Sequence, residues 1–411
     1  MNIWIFNQYA HPPDLPGGTR HCDLGRELVR QGHKVTIFAT SFHHYVHRET
    51  RLKHREQWKI EDFDGVQFVW VRTPPYQRND WRRVRNMVAF TIRVWRLGQR
   101  VTTLAPDTGR PDVVIGSSPH LLTPLAAYLV SKRYRVPFVM EVRDLWPQVI
   151  VDLKKLSKQH PITKALQVLE RFLYHQAERI IVLGPQMKEY IAACDISQEK
   201  IVWIPNGVDL SRFEGLAASK SPDEVFKVMY LGAHGQANAL DGLIHAARVV
   251  QDRGIQAIRF ILVGDGPEKP RLMALAKELG LRNVDFRAPV PKSEVSETLH
   301  ESDTFIFNLE KAEVLRYGVS PNKLFDYMAA GRPVIFAGAA SNNPVEESRC
   351  GFTVPPRDPE ALAEAVIRLY QMPQEEQEAM GRRGREYVEK HHAIPRLAEK
   401  LMDCLEAVRK P

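Results

Sequence analysis

Twice along this chain, short apolar runs alternate with amphipathic stretches of helical spacing, and the alternation restarts near the midpoint. In the first half the runs are residues 2–6, 33–40, 66–72, 113–116, 138–142 and 179–183; in the second they are 225–231, 260–263, 284–287, 304–308 and 334–337. Runs this short and this continuous suit strands buried on both faces, and helices between them are what a parallel sheet requires. The pattern therefore predicts an α/β chain with two layered sheets. Its 411 residues accommodate two domains of roughly 200 each. Residues 211–224, polar and carrying Ala, Ser, Lys and Pro, read as the linker, with the boundary at 205/206. After Gly351 the chain reads as mostly helical, at 359–370, 374–391 and 395–409.

Charge divides the halves. Residues 1–205 carry a net +11 and the remainder −3, which implies different partners for each. The four cysteines (Cys22, Cys194, Cys350, Cys404) are far apart and match no zinc or redox spacing, as in a reduced cytoplasm. The start of the chain alternates like a strand rather than a secretory leader. No uncharged segment reads as a membrane span; 113–130 is broken by Pro119, His120 and Pro124.

The stretch Ser320-Pro-Asn-Lys-Leu-Phe-Asp-Tyr-Met-Ala-Ala-Gly331 reads as a helix, with Ser320 as N-cap and Gly331 as stop. Its unpaired amides, dipole and Lys323 ammonium suit a phosphate, while Asp326 can accept from a ribose. An ordinary capped helix is the alternative. In the first half, Gly17-Gly18 follows a strand and precedes a helix bearing Leu24, Leu28 and Val29, so it offers amides to an anion or simply turns the chain. Polar residues at strand ends, His120 in 116–120 and Arg143-Asp144 in 141–147, sit where open sheets bind ligands. A satisfied core histidine and a structural ion pair are the alternatives. From Trp81 to Val101 a helical wheel gathers Arg82, Arg85, Arg93, Arg96 and Arg100 in one stripe, opposite Val84, Met87, Val88, Val94 and Trp95. Attraction to anionic lipid is one reading, and a helix with its apolar side on the sheet is the other. Nucleic acid is disfavoured, since no recognised binding motif accompanies the charge.

Together Pro205-Asn-Gly-Val-Asp209, Val263-Gly-Asp-Gly-Pro267, 320–331 and Gly351-Phe-Thr-Val-Pro-Pro-Arg-Asp358 resemble the C-terminal motifs of family 4 glycosyltransferases. Pro16-Gly-Gly-Thr19 and Glu141-Val-Arg-Asp-Leu-Trp-Pro147 resemble the N-terminal half of one branch, the WbuB-type aminodeoxysugar transferases of surface polysaccharide synthesis. The resemblance covers nearly the whole chain. It implies a GT-B fold: two Rossmann-like domains (1–205 on the acceptor side, 206–392 for the nucleotide sugar) facing across a cleft, with the last helix, about 393–411, crossing back to the first. It also implies a retaining transferase moving an N-acetylated or deoxy-hexose from a UDP-sugar to a lipid-linked or glycan acceptor. Cofactors and metal are not expected, and no Asp-x-Asp is placed to hold one. The enzyme would lie in the cytoplasm or at the inner membrane face. A UDP-sugar 2-epimerase of the same fold and a non-catalytic sugar-nucleotide-binding component are the rival classes.

By the same resemblance Lys323, His234, Asp144 and Arg143 are the catalytic candidates. Gly17, Gly18, Gly232, Gly235, Gly264, Gly266, Val290, Ser320, Asn322 and Asp326 would bind the donor, with the base along 288–290, and His120 and Arg20 would lie on the acceptor side. Three positions depart from the family pattern. Gly318 replaces a glutamate, for which Glu310 or Glu313 are the substitutes, and Ala233 and Asn238 replace the usual Arg and Lys.

Overall fold

The computed structural model describes residues 1–78, 80–152, 156–215 and 225–409. Most of the expected linker, 216–224, lies outside them. The described chain forms two compact units: one comprises Met1–Pro13, Gly17–Pro205 and the segment from Ile394, the other Asp14–Pro16 and Asn206–Ala393.

The first unit holds strands β1 (Asn2–Phe6), β2 (Lys34–Thr40), β3 (Phe42–His43), β4 (Arg48–Glu49), β5 (Trp58–Phe63), β6 (Val66–Val71), β7 (Val113–Ser117), β8 (Phe138–Val142), β9 (Arg179–Val182) and β10 (Ile201–Trp203). Eight of them form one sheet in the order β10-β9-β8-β7-β1-β2-β6-β5, parallel except for the β5–β6 pair. Side chains alternate across it. Ile3, Ile5, Val35 and Ile37 join the helices Arg20–Arg30 and Ile394–Glu406 through Leu24, Leu28, Leu397, Leu401 and Leu405. Trp4, Phe6 and Phe38 face the other way, where Trp4 meets Tyr134 at 5.2 Å. The C-terminal helix thus belongs to the first unit.

The second unit holds β11 (Phe226–Leu231), β12 (Ile258–Val263), β13 (Val284–Arg287), β14 (Thr304–Asn308), β15 (Val334–Ala337) and β16 (Gly351–Val354), all parallel, in the order β13-β12-β11-β14-β15-β16. One face carries Val228, Tyr230, Phe260 and Leu262 under the helices Leu240–Asp252 and Pro359–Gln371; the other carries Met229, Ile261, Phe305 and Phe307 under the helix Asn322–Ala329.

The strand order reverses beside β1 in the first sheet and beside β11 in the second. Loops leaving the carboxyl ends of strands at such a reversal form the usual ligand crevice of an open α/β sheet. Here they are the loops after β1 and β7, and after β11 and β14.

The arginine-rich helix runs from Trp81 to Gly98 and is rotated from the expected setting. It buries Asn86, Met87, Phe90, Val94 and Leu97, while Val84 and Val88 are exposed and Trp95 is half-buried. The spacing 87, 90, 94, 97 follows one apolar stripe, and the wheel alone could not choose it over 84, 88, 95.

Candidate functional site

In the second unit the helix Asn322–Ala329 begins differently from expectation. Pro321 occupies the N-cap position, and no side chain caps the helix. Ser320 is engaged elsewhere: its Oγ accepts the Asn206 amide at 2.7 Å, and its carbonyl accepts from Asn206 Nδ2. The first-turn amides, including that of Asn322, are therefore left without a side-chain cap, which makes this end more available to an anion. Gly331, at φ +69°, does close the helix.

Lys323 extends from that first turn under β11. Its Nζ donates to Tyr230 Oη at 2.7 Å and Asn238 Oδ1 at 2.6 Å, and lies 4.5 Å from the Tyr230 ring centroid. Among the described residues no carboxylate pairs with it. Burial pushes its pKa down to about 7. Gly232 leaves room here, since a Cβ on it would come 3.3 Å from Lys323 Nζ. Asn238, a departure from the family pattern, is thus one of the two residues that hold the lysine. Tyr230 carried no sequence signal beyond its place in an apolar strand.

His234 requires a correction. It is fully buried, and burial with Lys269 and Lys323 nearby pushes it down to about 4. The ring is neutral near pH 7 and supplies no positive charge; both nitrogens are buried without a hydrogen-bond partner. Gly264 and Gly266 have structural roles. A Cβ on Gly264 would lie 2.0 Å from the Gly232 carbonyl oxygen, and one on Gly266 2.5 Å from that of His234. These glycines let the loops after β11 and β12 press backbone to backbone. Gly235, by contrast, has open space where its Cβ would be.

Asp326 is buried and accepts from Lys292 Nζ at 2.5 Å. Lys292 lies two residues after the 288–290 segment, so the expected ribose residue is tied to the chain that leaves the expected base-binding segment. Val290 of that segment packs on the helix's apolar cluster. Gly318 ends a turn at φ +89°, where a glutamate would be strained. Glu310 is committed to Arg357 in a two-pronged ion pair, and Glu313 is exposed.

In the first unit Arg20 is not available to an acceptor. Its Nε donates to Glu141 at 2.8 Å, and its two terminal nitrogens donate to the carbonyls of Ile204 (2.9 Å) and Pro205. Glu141 also accepts from His21 Nε2 at 2.6 Å and Ser117 Oγ at 2.5 Å, completing a buried network. His120 is a core histidine. Its Nε2 faces Gln8 Oε1 at 2.7 Å, so the proton is on Nε2; Nδ1 is buried without a partner, and burial pushes the ring down to about 3. Arg143 is half-buried, its amide bound to Ser118 Oγ and its Nε without a partner, beside an exposed Asp144. Gly17, at φ +152°, turns the loop against His11, and Gly18 follows half-buried. No group of three potential metal ligands occurs among the described residues. An Asp-x-Asp does occur at Asp62-Phe-Asp64, but it serves a turn: Asp62 takes the Gly65 amide and Asp64 pairs with Arg26.

Residues 17–207 match the glycosyl transferase 4-like domain, and 225–372 match glycosyl transferases group 1. Among curated relatives, a chain of Escherichia coli (strain K12) bearing the name of a colanic acid biosynthesis glycosyl transferase, WcaI, is 22% identical over 83% of this chain and 84% of its own. Among solved structures, sucrose-phosphate synthase from Thermosynechococcus elongatus superposes with a TM-score of 0.74 at 18% identity, covering 98% of each chain. Anabaena HepE in complex with UDP-glucose gives 0.66 at 14% identity, covering 98% of this chain and 99% of its own. Two parallel α/β units, the family matches along both and the likeness in fold lead to one assignment: this chain is a glycosyltransferase of family 4 with the GT-B fold.

Proposed function

We propose that this enzyme transfers a hexosyl group, N-acetylated or deoxy, from a UDP-sugar to a lipid-linked or glycan acceptor in surface polysaccharide synthesis, with retention of configuration and without metal. The observation that carries the donor side is Lys323: a lysine held by two neutral oxygens, with no acid among the described residues to neutralise it, at an uncapped helix start. The diphosphate supplies the missing counter-charge. The ribose meets Asp326, oriented by Lys292, and the base lies along 288–290. As the bond from C1 to the phosphate oxygen breaks, charge develops on the leaving phosphate, and Lys323 and the helix amides stabilise it. The acceptor oxygen bonds to C1 on the same face and passes its proton to that phosphate. Arg143 and Asp144 position the acceptor on the first unit. The names of WcaI and of the HepE complex support the pathway and the nucleotide. In a thermal-shift comparison of UDP-, GDP- and dTDP-sugars, the UDP-sugar should stabilise most, by about 2.7 kcal/mol at 100 times its Kd. A larger shift with a GDP-sugar would reject the nucleotide assignment. Product anomeric configuration by NMR and transfer in EDTA test retention and metal independence.

The rotated arginine helix adds a membrane contact to this reading. Trp81, Val84, Val88 and Ile92 are 63%, 57%, 41% and 41% exposed, beside exposed Arg82, Arg85 and Arg96. Apolar side chains interleaved with arginines suit the interface of an anionic bilayer. No helix among the described residues is long and apolar enough to cross one. Cosedimentation should be strong with vesicles containing phosphatidylglycerol and weak with pure phosphatidylcholine, and V84S/V88S should lower it several-fold. Equal binding to both lipids would exclude the arginine contribution.

A further inference from the structure

Asn206 opens the long segment of the second unit and is buried there. It takes hold of Ser320, 114 residues on, at two points: its amide donates to Ser320 Oγ at 2.7 Å, and its Nδ2 donates to the Ser320 carbonyl. Its Oδ1 is buried without a partner, so the Ser320 carbonyl is what the side chain holds. Asn206 is itself held. Its carbonyl accepts from His392 Nδ1 at 2.9 Å, and the His392 ring stacks on Phe325 with centroids 3.7 Å apart. Val208 donates its amide to the His392 carbonyl at 2.9 Å and pairs with Ala393 in a parallel bridge. Ser320 and Phe325 lie on either side of Lys323 in the chain, so Asn206 and His392 grip the start of the helix Asn322–Ala329 before and after its lysine.

The grip matters because the sequence offers this helix a second beginning. Ser320-Pro321 suits an N-cap followed by the first helical position. A residue before proline favours extended backbone, which is the conformation of an N-cap, and proline is already set for the first turn. In that register Ser320 Oγ would accept from the amides of Asn322 or Lys323, then the second and third helical residues. In the structure the helix begins one residue later. Pro321 is extended, at ψ 128°, and stands at the N-cap with no side chain to offer. One backbone rotation at Pro321 and one side-chain rotation at Ser320 separate the two starts. Asn206 blocks the second by occupying both Ser320 oxygens.

We infer that Asn206 is a positioning residue of the donor site: by holding Ser320 off the helix it keeps the amides of Asn322 and Lys323 open for an anion. The side chain acts through Ser320 and claims no atom of the ligand. That the anion is the donor's diphosphate rests on the transferase reading above; the competition between two helix starts rests on the bonds alone.

Titration calorimetry of the full chain with UDP, together with amide exchange of the unliganded chain, tests this. Asn206→Ala should free Ser320 to cap the helix. UDP should then bind about tenfold more weakly, the loss of one hydrogen bond to a charged group. Exchange at the amides of Asn322 and Lys323 should slow at the same time. Slowing is the decisive sign, because a residue with a merely structural role would loosen the turn and speed exchange. Ser320→Ala cannot cap and should bind UDP as wild type does; adding it to Asn206→Ala should restore both the affinity and the fast exchange. Circular dichroism checks the fold, and Asn206→Leu, of nearly the same shape, should behave as Asn206→Ala does. The proposal is overturned if exchange at the two amides is unchanged or faster in Asn206→Ala. It is also overturned if the double variant binds UDP no more tightly than Asn206→Ala, since independent structural losses add. If wild type binds no UDP, the donor reading fails, and the exchange rates decide this proposal by themselves.

Discussion

Lys323→Ala is expected to slow sugar transfer on the order of a hundredfold, as removal of one preorganised donor to a developing oxyanion does elsewhere. The fold should survive, because Tyr230 Oη and Asn238 Nδ2 keep their bonds to the Ala233 carbonyl, both at 2.8 Å. The pH dependence has a definite sign. In the free protein Lys323 titrates at about 7, depressed by burial. A bound diphosphate favours the charged form and raises that value. Below about pH 7 the proton is already in place; above it, donor binding must take up a proton, so affinity for a UDP-sugar should fall by up to about tenfold per pH unit. Lys323→Met should bind weakly and without that slope. Kd for the UDP-sugar across pH 6–9, with kcat at saturation, separates the two effects. A flat wild-type profile, or an unchanged rate in Lys323→Ala, would remove this lysine from the chemistry.

Much of the architecture was legible because buried parallel strands announce themselves as apolar runs. Strands β8, β13, β14 and β15 have the bounds expected from sequence. Strand β5, Trp-Lys-Ile-Glu-Asp-Phe, was not, since an antiparallel edge strand can carry charge on its open side. The β3–β4 hairpin is two residues a side and has no period to detect. Residue types were legible where backbone geometry forces them, as at Gly232 and Gly331, both at positive φ. Partnerships across the fold were not. Lys292 lies 34 positions from Asp326 and Arg20 lies 121 from Glu141, and nothing local marks either pair. Ser320 misled for a related reason. It has the chemistry of a cap, but Asn206, 114 residues earlier, claims its oxygens.

The network around Glu141 should have the larger effect on stability. Glu141→Ala removes the acceptor for Arg20 Nε, His21 Nε2 and Ser117 Oγ at one stroke. Arg20 would remain buried with an uncompensated charge, and breaking such a pair from one side costs about 3–5 kcal/mol. His21 cannot turn to another acceptor, because its Nδ1 already takes the Asn7 amide at 3.1 Å and its only proton points at Glu141. The pH dependence follows. His21, Arg20 and Arg143 hold the Glu141 carboxyl well below its ordinary range, despite burial working the other way. A folded value lower than the unfolded one, near 4.3, means that the stabilisation is complete above that pH and is lost as pH falls toward the folded value. Wild type should therefore lose stability more steeply below about pH 4.3 than Glu141→Ala, so that the two converge in acid. Urea melts of the first unit's transition at pH 7 and at intervals down to pH 3 measure both quantities. The same guanidinium holds the carbonyls of Ile204 and Pro205, where the chain leaves the first unit, so the variant should also loosen that exit. Faster amide exchange at Asn206 and Val208 would show it. A variant within about 1 kcal/mol of wild type at pH 7 would mean that water enters to replace the carboxylate, and that this network orients the exit without stabilising it.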